Sequence, residues 1–432
     1  MQKLLRGALL AAALGAPGAQ AAVEPAAVVR TYADIAQAGY EDALAAARTL
    51  SGTVDALVAK PSNETLQAAR RAWLASREPY QQTEAFRFGN PIVDDWEGRV
   101  NAWPLDEGLI DYVDASYGTE NDDNAFYAVN LVANSRISVG GKTIDAGKIT
   151  PQLLREVLHE ADGNEANVAT GYHAIEFMLW GQDLNGTGPA PASRTGTPQE
   201  RHAGNRPHTD FDPANCTGGN CQRRIDYLKT VTAMLVEDLQ DMAQQWRTGG
   251  AARQAVESDP RAGLRAMLTG LGSLSYGELA GERMKLGLML GDPEEEHDCF
   301  SDNTHNSHLY NQLGMRNVYL GSYKRVDGKA VSGASLSDLV RARDAKLDEE
   351  VRGKLDATLK AMQAMKHRAE TVETYDQMIA SGNAEGNAVV QAAIDALVAQ
   401  TRSLERVIVA LELGDIQLEG SDSLDDPTAV FQ

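Results

Sequence analysis

The residues with the clearest potential for chemistry lie at 171–176, in the sequence GYHAIE. On a helix, His173 and Glu176 are three positions apart and share one face. An imidazole and a carboxylate on one face can hold a divalent or trivalent cation, and helix bundles build iron sites from such inward-facing pairs. The alternative is a buried histidine paired with a helix carboxylate, which spacing alone favours because i,i+3 pairs are common. A metal site here needs further ligands from elsewhere in the fold.

Further ligands are predicted in residues 294–306, a segment dense in carboxylates, histidines and amides. This composition suits hard cations, although most acidic runs are solvated loops. Asp302 and His305 are the stronger candidates because uncharged residues surround them. Glu84 is another candidate, since it would face inward if its helix continues past Pro79. The alternative there is a kinked core helix with surface charges, which the residues alone favour.

Several familiar catalytic signatures are absent from the sequence. It contains no H-E-x-x-H zinc motif, no Walker loop and no dinucleotide-binding glycine fingerprint. It also lacks a G-x-S-x-G nucleophile elbow and a C-x-x-C-H haem attachment site. None of these enzyme or haem-protein classes is therefore indicated.

The charge balance narrows the class of partner. Asp and Glu number 61 against 40 Lys and Arg, which gives a net charge of -21. Nucleic acid is not expected as a partner, because neutralising phosphates needs clustered Lys and Arg. The negative charge is equally unsuited to anionic lipid, but it is compatible with attracting cations.

Residues 1–21 predict a secretory signal peptide. Lys3 and Arg6 precede a short apolar run, and Ala19-Gln20-Ala21 matches a cleavage site. The apolar run is too short to span a bilayer, and no cysteine near the cleavage site marks a lipoprotein. We therefore expect an exported protein of the periplasm or cell envelope.

The three cysteines fit an oxidising compartment. Cys216 and Cys221 are separated by Thr-Gly-Gly-Asn, which predicts a short disulfide loop in an exported chain. Cys299 is then left over, and no neighbouring residue marks it as a nucleophile.

The elements that must position these residues are mostly helices. Apolar residues recur at steps of three and four in 225–242 and again in 394–411. Further segments rich in Ala, Leu and Glu predict helices over 26–60, 64–88, 151–161 and 165–182. Strand patterns are scarce, with at most a short hairpin at 137–141. Helices of this number and length indicate an all-α protein built from helix bundles.

Two interruptions divide the chain. Residues 185–220 form a long loop rich in Pro and Gly, and a second, polar and acidic break spans 291–328. We predict an N-terminal helical bundle over 22–250, which carries the G-x-H-x-x-E motif and the long loop, and a C-terminal bundle over 251–432. A similar alanine spacing occurs in both halves, which suggests an internal duplication.

Four motifs together resemble the imelysin family of bacterial envelope proteins. They are G-x-H-x-x-E with the following WGQD at 180–183, R-x-P-Y at 77–80 with EAFRF at 84–88, ELAGERM at 278–284, and CFSDNTH at 299–305. The resemblance covers nearly the whole mature chain. It implies two all-helical halves, each like a four-helix bundle, with a site where they meet. The family includes iron-regulated proteins and relatives linked to iron-uptake systems, and was first described as an insulin-cleaving metallopeptidase.

Residues and resemblance together predict a periplasmic metal-binding protein that serves iron acquisition. His173 and Glu176 are the expected ligands, with Glu84, Asp302 and His305 as partners across the domain interface. Iron is the favoured metal because carboxylate oxygens and imidazole suit it, and zinc and calcium are alternatives. The expected partners are a metal ion or metal chelate and an outer-membrane or iron-uptake component.

Two other functions stay open at this point. An imelysin-type metallopeptidase could use the same residues, although Glu176 would then serve as both ligand and general base, which are incompatible roles. A metal-free ligand-binding module is the other alternative. The sequence decides neither whether the protein is an enzyme nor its oligomeric state.

Overall fold

The computed structural model describes residues 23–431 and is 64% helical, which confirms the all-α prediction. The predicted signal peptide, residues 1–21, lies outside the described residues. Helices of seven or more residues are α1 (Pro25–Ala59), α2 (Asn63–Gln81), α3 (Pro91–Asn101), α4 (Gly171–Trp180), α5 (Cys221–Gln245), α6 (Ala251–Glu257), α7 (Pro260–Ser273), α8 (Thr304–Leu320), α9 (Leu336–Arg343), α10 (Ala345–Thr371) and α11 (Ala384–Ala410).

Shorter helical pieces connect these helices. A π-helical segment, Leu274–Leu286, continues α7 without a break and runs on into Gly287–Leu290. Single turns occur at Glu84–Phe86, Glu107–Leu109, Ala115–Tyr117, Pro151–Leu153, Leu154–Leu158, Ala161–Gly163, Pro198–His202, His208–Phe211, Pro293–Glu295, Tyr375–Ile379, Asp422–Asp425 and Ala429–Phe431.

Two small hairpins are the sheet structure of the described residues. Strands β1 (Arg136–Val139) and β2 (Lys142–Asp145) pair antiparallel around Gly140 and Gly141, which confirms the predicted hairpin. Strands β3 (Ser322–Lys324) and β4 (Ala330–Ser332) form a second hairpin that the sequence did not indicate.

The first half of the chain packs around α1. Helices α2 and α5 both lie against α1, and α4 packs against α2, α3 and α5. The apolar residues that recur along α5 are all buried, as the periodicity predicts. Helix α4 is buried at every position, so the His173 segment lies at the centre of this group.

The second half packs around α10 and α11. These two helices lie against each other, α8 packs on α10, and the π-helical segment packs on α11. The halves touch where α2 meets α8 and where α1 meets α7, and one hydrophobic cluster runs through both. The chain passes from α5 to α6 at residues 246–250, near the predicted boundary. The division into two domains and their duplication stay predictions.

The prediction that 291–328 is an irregular break is wrong, because α8 lies inside it. Helix α8 buries polar side chains instead of apolar ones. Asn311 donates to the backbone and side-chain oxygens of Gln81, and Gln312 donates to Gln400. A helix that faces the interior with histidines and amides has no apolar period to detect.

Two helices are shorter than the sequence predicts: the one predicted over 64–88 and the one predicted over 165–182. Helix α2 stops at Gln81, two residues after Pro79, and the rest of the predicted segment is a separate turn. Helix α4 starts only at Gly171, whose φ is +86° and whose Cβ position would lie 2.5 Å from the Val100 carbonyl oxygen. Only glycine fits this approach, so residues 165–170 cannot continue the helix.

The long loop, 185–220, is irregular apart from two short turns, as predicted. Two buried arginines hold it in place. Arg206, within the loop, pairs with Asp111 at 2.7 Å. Arg224 of α5 pairs with the same carboxylate at 2.6 Å and donates to the backbone carbonyl of Gly219 in the loop. Within residues 23–431, every helix is too short or too polar to cross a lipid bilayer.

Candidate metal centre

His173 and Glu176 form the predicted pair on α4. The Nδ1 atom of His173 lies 3.0 Å from Oε2 of Glu176, and both side chains are at most 1% exposed. The other imidazole nitrogen, Nε2 of His173, is buried and has no hydrogen-bond partner among the described residues. One edge of the ring is therefore held by a carboxylate while the other edge is free to bind.

Both carboxylate oxygens of Glu176 are occupied. Oε1 accepts hydrogen bonds from the backbone N–H of Ser301 at 2.9 Å and from its hydroxyl at 2.6 Å. Burial and the nearby charge of Asp298 raise the pKa of Glu176 well above its ordinary value. Glu176 is thus placed to orient His173.

The loop before α8 brings two more donors to His173. Ligand atoms of His173, His297 and Asp298 all lie within 4.8 Å of one another. The rings of His173 and His297 are 4.8 Å apart between centroids. Nδ1 of His297 is buried without a partner, and Nε2 lies 3.4 Å from the amide nitrogen of Asn101. Two imidazoles and one carboxylate therefore converge.

Asp298 is anchored by a buried guanidinium. Arg77 donates to Oδ1 at 2.7 Å and to Oδ2 at 3.3 Å, and Asn303 and Ser307 also donate to Oδ2. Burial alone would raise the pKa of Asp298. The charge of Arg77 together with these hydrogen bonds outweighs it and lowers the pKa to about 2. The carboxylate is therefore ionised in neutral solution.

Both imidazoles are neutral in this setting. Burial, assisted by the charge of Arg77, lowers the pKa of His173 to about 3. Burial, assisted by the charge of Arg283, lowers the pKa of His297 well below its ordinary value. A neutral imidazole keeps a lone pair available for a cation.

The structure does not bring the other sequence-predicted residues to this group. Glu84 accepts a hydrogen bond from Arg283 at 2.7 Å and belongs to a separate ion-pair network. Asp302 lies with His202 at 3.4 Å in a second acidic cluster. His305 is fully buried, and its Nε2 lies 3.0 Å from the side chain of Asn306. Whether these residues bind metal stays a prediction.

Sequence reasoning missed His297 and Asp298, although both lie in the segment that it singled out. They directly follow three glutamates, a charged run that is typical of a solvated loop. Asp302 and His305 were favoured instead because their neighbours are uncharged. The available signal was the His-Asp pair itself, which offers two metal-ligand types at adjacent positions.

His297 also lines an acidic cleft of about 520 Å³. Seven acidic residues and two arginines line it: Asp94, Asp95, Glu97, Glu160, Glu165, Glu278, Glu282, Arg87 and Arg283. An excess of one charge sign in a cleft raises the local concentration of counter-ions. The cleft therefore favours cations next to one of the three donors.

The cysteines are not among the three donors. Cys216 and Cys221 are joined by a disulfide with a Cα–Cα distance of 5.9 Å, at the start of α5. Cys299 is the free cysteine of the described residues and is half-buried.

Comparison with known proteins identifies the family. The imelysin profile matches residues 36–404. Iron-regulated protein A of Synechococcus elongatus is 34% identical over 71 residues, which are 16% of this chain and 20% of that relative. A crystal structure of a candidate iron-regulated protein A precursor from Parabacteroides distasonis has a TM-score of 0.61 at 19% identity, and covers 91% of this chain and 96% of its own.

An imelysin-like protein from Psychrobacter arcticum is also similar in structure. Its TM-score is 0.54 at 15% identity, and the match covers 91% of this chain and 98% of the other. At these identities the two structures establish the shared fold. The match to the curated relative spans about a fifth of that relative's length. Because the profile match extends over most of the sequence, this chain belongs to the imelysin family.

Proposed function

We propose that this protein binds a metal ion at His173, His297 and Asp298 and serves iron acquisition in the bacterial cell envelope. The observation that carries the proposal is that two grouped, buried imidazoles each leave one nitrogen without a partner, Nε2 of His173 and Nδ1 of His297, and that the third member of the group, Asp298, is ionised. A buried polar atom without a partner is costly. Coordination of one cation would satisfy both nitrogens.

The donor types favour iron. Two imidazoles and one carboxylate form the set that non-haem iron(II) proteins use, and imidazole also suits zinc. Calcium is less suited, because it prefers six to eight oxygen ligands. The donors come from α4 and from the loop before α8, so the proposed site draws on both halves of the chain.

Glu176 has a supporting role in this proposal. When Nδ1–H of His173 donates to the carboxylate, the lone pair of the imidazole lies on Nε2, which is the unpartnered atom. Carboxylates that hold histidine ligands in this way orient the ring and increase its basicity. Glu176 therefore prepares His173 for the metal without binding it.

The comparisons support the iron assignment. The relative in Synechococcus elongatus is named Iron-regulated protein A, and the Parabacteroides distasonis structure carries a related description. The predicted signal peptide supports a place in the envelope. A metal ion or metal chelate is the proposed ligand, with an iron-uptake component as the proposed partner.

The environment of the donors supports binding over peptide hydrolysis. The three donor side chains are at most 1% exposed, so a peptide bond would have little access to a metal held there. Glu176 is engaged by Ser301 and His173, and Asp298 by Arg77, so neither carboxylate is free to act as a general base.

Metal titration tests the proposal. Metal-stripped protein is titrated with Fe²⁺ without oxygen and with Zn²⁺, as wild type and as His173→Gln and His297→Gln. Each variant should lose more affinity than the roughly 10–100-fold typical of an orienting partner. His159→Gln is the matched control, because both ring nitrogens of His159 lie at hydrogen-bonding distance from the backbone, at 3.0 and 3.3 Å.

Helicity measured by circular dichroism shows that each variant is folded. If His173→Gln and His297→Gln bind metal as tightly as wild type, the proposed site is wrong. If wild type binds metal and also cleaves peptides in a manner that requires His173, the peptidase alternative replaces the acquisition role.

A further inference from the structure

A second group of buried acids lies on the far side of the loop before α8. Ligand atoms of Asp183, His202, Asp302 and Asp376 lie within 4.8 Å of one another. Asp302, Asp376 and His202 are each 1% exposed, and Asp183 is half-buried. The proposed iron-binding function uses none of these residues.

Four separate segments deliver these side chains. Asp183 follows α4, and His202 ends the turn Pro198–His202 in the long loop. Asp302 precedes α8, and Asp376 lies in the turn Tyr375–Ile379. Residues almost 200 positions apart therefore meet at one point in the interior.

The cluster leaves several polar atoms without hydrogen bonds. Both carboxylate oxygens of Asp302 and Oδ2 of Asp376 are buried without partners among the described residues, and so is Oε1 of the neighbouring Glu296. Nδ1 of His202 lies 3.1 Å from Oδ2 of Asp376 and 3.4 Å from Oδ2 of Asp302, but neither contact has the angles of a hydrogen bond.

Several other buried acids have arginine partners. Asp111 has two, Arg206 and Arg224. Within the described chain, the only cationic side chain within ion-pair distance of Asp302 or Asp376 is His202. Burial lowers the pKa of Arg194, although the charges of Asp183 and Asp302 oppose this, and its guanidinium donates to backbone carbonyls instead, including that of Ala203 at 2.6 Å.

A small cavity lies among these oxygens. Its volume is about 10 Å³, and its lining includes six acidic residues: Glu107, Asp183, Glu294, Glu296, Asp302 and Asp376. A space of this size holds about one water molecule, and hence one bare cation of similar size. Asp302 and Asp376, which both have unpartnered carboxylate oxygens, line this space.

We propose that Asp183, Asp302, Asp376 and His202 form a second cation site, for one hard divalent ion, separate from the His173 group. Burying several carboxylates without compensating positive charge is strongly unfavourable. Carboxylate oxygens suit Ca²⁺ and Mn²⁺, and the single imidazole favours Mn²⁺ of the two. One such ion supplies partners for Asp302 and Asp376 and occupies the cavity.

The site has a structural consequence for its neighbour. The segment 296–302 carries His297 and Asp298 on the side of the first site and Asp302 on the side of the second, and Ser301 between them holds Glu176. A cation at Asp302 would anchor the end of the segment that positions the first-site donors.

Mn²⁺ titration of the metal-stripped mature protein tests this inference, with free Mn²⁺ measured by electron paramagnetic resonance. The comparison uses wild type, Asp302→Asn/Asp376→Asn, and His173→Gln/His297→Gln. Asp302→Asn/Asp376→Asn should bind one Mn²⁺ fewer than wild type, and His173→Gln/His297→Gln should keep that ion. Ca²⁺ should compete for the ion that Asp302→Asn/Asp376→Asn loses.

Asp122→Asn/Asp123→Asn is the matched control, because it removes the same two charges from exposed positions. This control should bind like wild type. If Asp302→Asn/Asp376→Asn retains every Mn²⁺ with unchanged affinity, the carboxylates are balanced by His202 and bound protons, and the second site is wrong.

The two proposed sites can fail separately. One Mn²⁺ that persists in His173→Gln/His297→Gln supports the second site even if the first does not bind. Should Asp302→Asn/Asp376→Asn fail to fold, His202→Gln and His173→Gln/His297→Gln decide the question. The proposal is wrong if His202→Gln binds Mn²⁺ with unchanged affinity and His173→Gln/His297→Gln binds no Mn²⁺.

Discussion

Ser301 donates its backbone N–H and its hydroxyl to the same oxygen of Glu176, at 2.9 and 2.6 Å. The other oxygen of Glu176 is thereby left for Nδ1 of His173. The loop before α8 thus sets the orientation of a histidine on α4, although the two segments are 125 residues apart in sequence. Several predictions about the metal centre depend on this arrangement.

Glu176→Gln should weaken metal binding by about 10–100-fold, the range for lost orienting partners. Ser301 presents two donors, so the amide oxygen must face Ser301 and the amide NH₂ must face His173. Nδ1 then accepts a hydrogen bond, which places the ring proton on Nε2, the proposed ligand atom. Calorimetric titration measures the change, and Ser301→Ala, which keeps the backbone donor, should have a smaller effect. Wild-type affinity in Glu176→Gln would contradict the orienting role.

Glu84→Gln and His305→Gln should leave metal affinity at the His173 group unchanged. Glu84 is engaged by Arg283, so its loss should instead lower the free energy of unfolding by about 1–3 kcal/mol, typical of a charged hydrogen bond. Arg283 keeps Glu278 at 2.6 Å, which limits the loss. Titration and urea denaturation separate the two effects. A large drop in affinity would restore Glu84 or His305 as a ligand.

The metal-stripped protein should lose stability as the pH rises from about 7 to 9. Burial raises the pKa of Asp376 to about 7 from its ordinary 3.8, so between these values the folded state holds a proton that the unfolded state has lost. Burial alone would lower the pKa of His202. Close contact with the carboxylates of Asp302 and Asp376 outweighs this and raises it to about 9 from 6.5.

Both groups make the folded state bind more protons, so the free energy of unfolding falls with pH up to about 7 for Asp376 and up to about 9 for His202. His173 and His297, whose pKa values are lowered by burial, bind fewer protons in the folded than in the unfolded state and oppose the fall below about pH 6.5, so the net fall is expected between pH 7 and 9. Urea midpoints in chelator at pH 7, 8 and 9 measure it, and His202→Gln should reduce the fall. A midpoint that is constant over this range would contradict the expectation.

Arg77→Met should lower the free energy of unfolding by about 3–5 kcal/mol, the cost of leaving one member of a buried ion pair alone. Asp298 would then lose its guanidinium while remaining buried. Arg406→Met is the control, because Arg406 pairs with Glu350 at the surface, where such pairs contribute about 0–1 kcal/mol. Equal urea midpoints for the two variants would show that Arg77 does not stabilise the core.

Native protein from an oxidising compartment should resist alkylation at Cys216 and Cys221. Mass spectrometry after thiol alkylation measures this, and labelling of either residue without reductant would count against the bridge. Replacing both by serine should cost about 2 kcal/mol, the loop-closure value for so short a loop. Cys299 is the free cysteine of the described residues, so denatured, unreduced protein should take up one label there.

Helices whose buried face is apolar could be predicted from the sequence alone. Along α5 the apolar side chains recur every three or four residues, and the structure buries them. Helix α8 was not predicted because its buried face carries His305, His308, Asn311 and Gln312. The partners of Asn311 and Gln312 are Gln81 and Gln400, which lie on other segments. A polar interior can be recognised only when those partners are in place.

The candidate site also combines contacts that the sequence predicts with contacts that only the fold brings about. His173 and Glu176 could be paired from the sequence, because helix geometry alone brings positions three apart to one face. His297 and Asp298 reach His173 across more than 120 residues of chain, and Glu84 is engaged by an arginine 199 positions away. Local spacing carries no information about such encounters. Tertiary contacts therefore determine which carboxylates are neutralised by arginines and which imidazole nitrogens remain free for a cation.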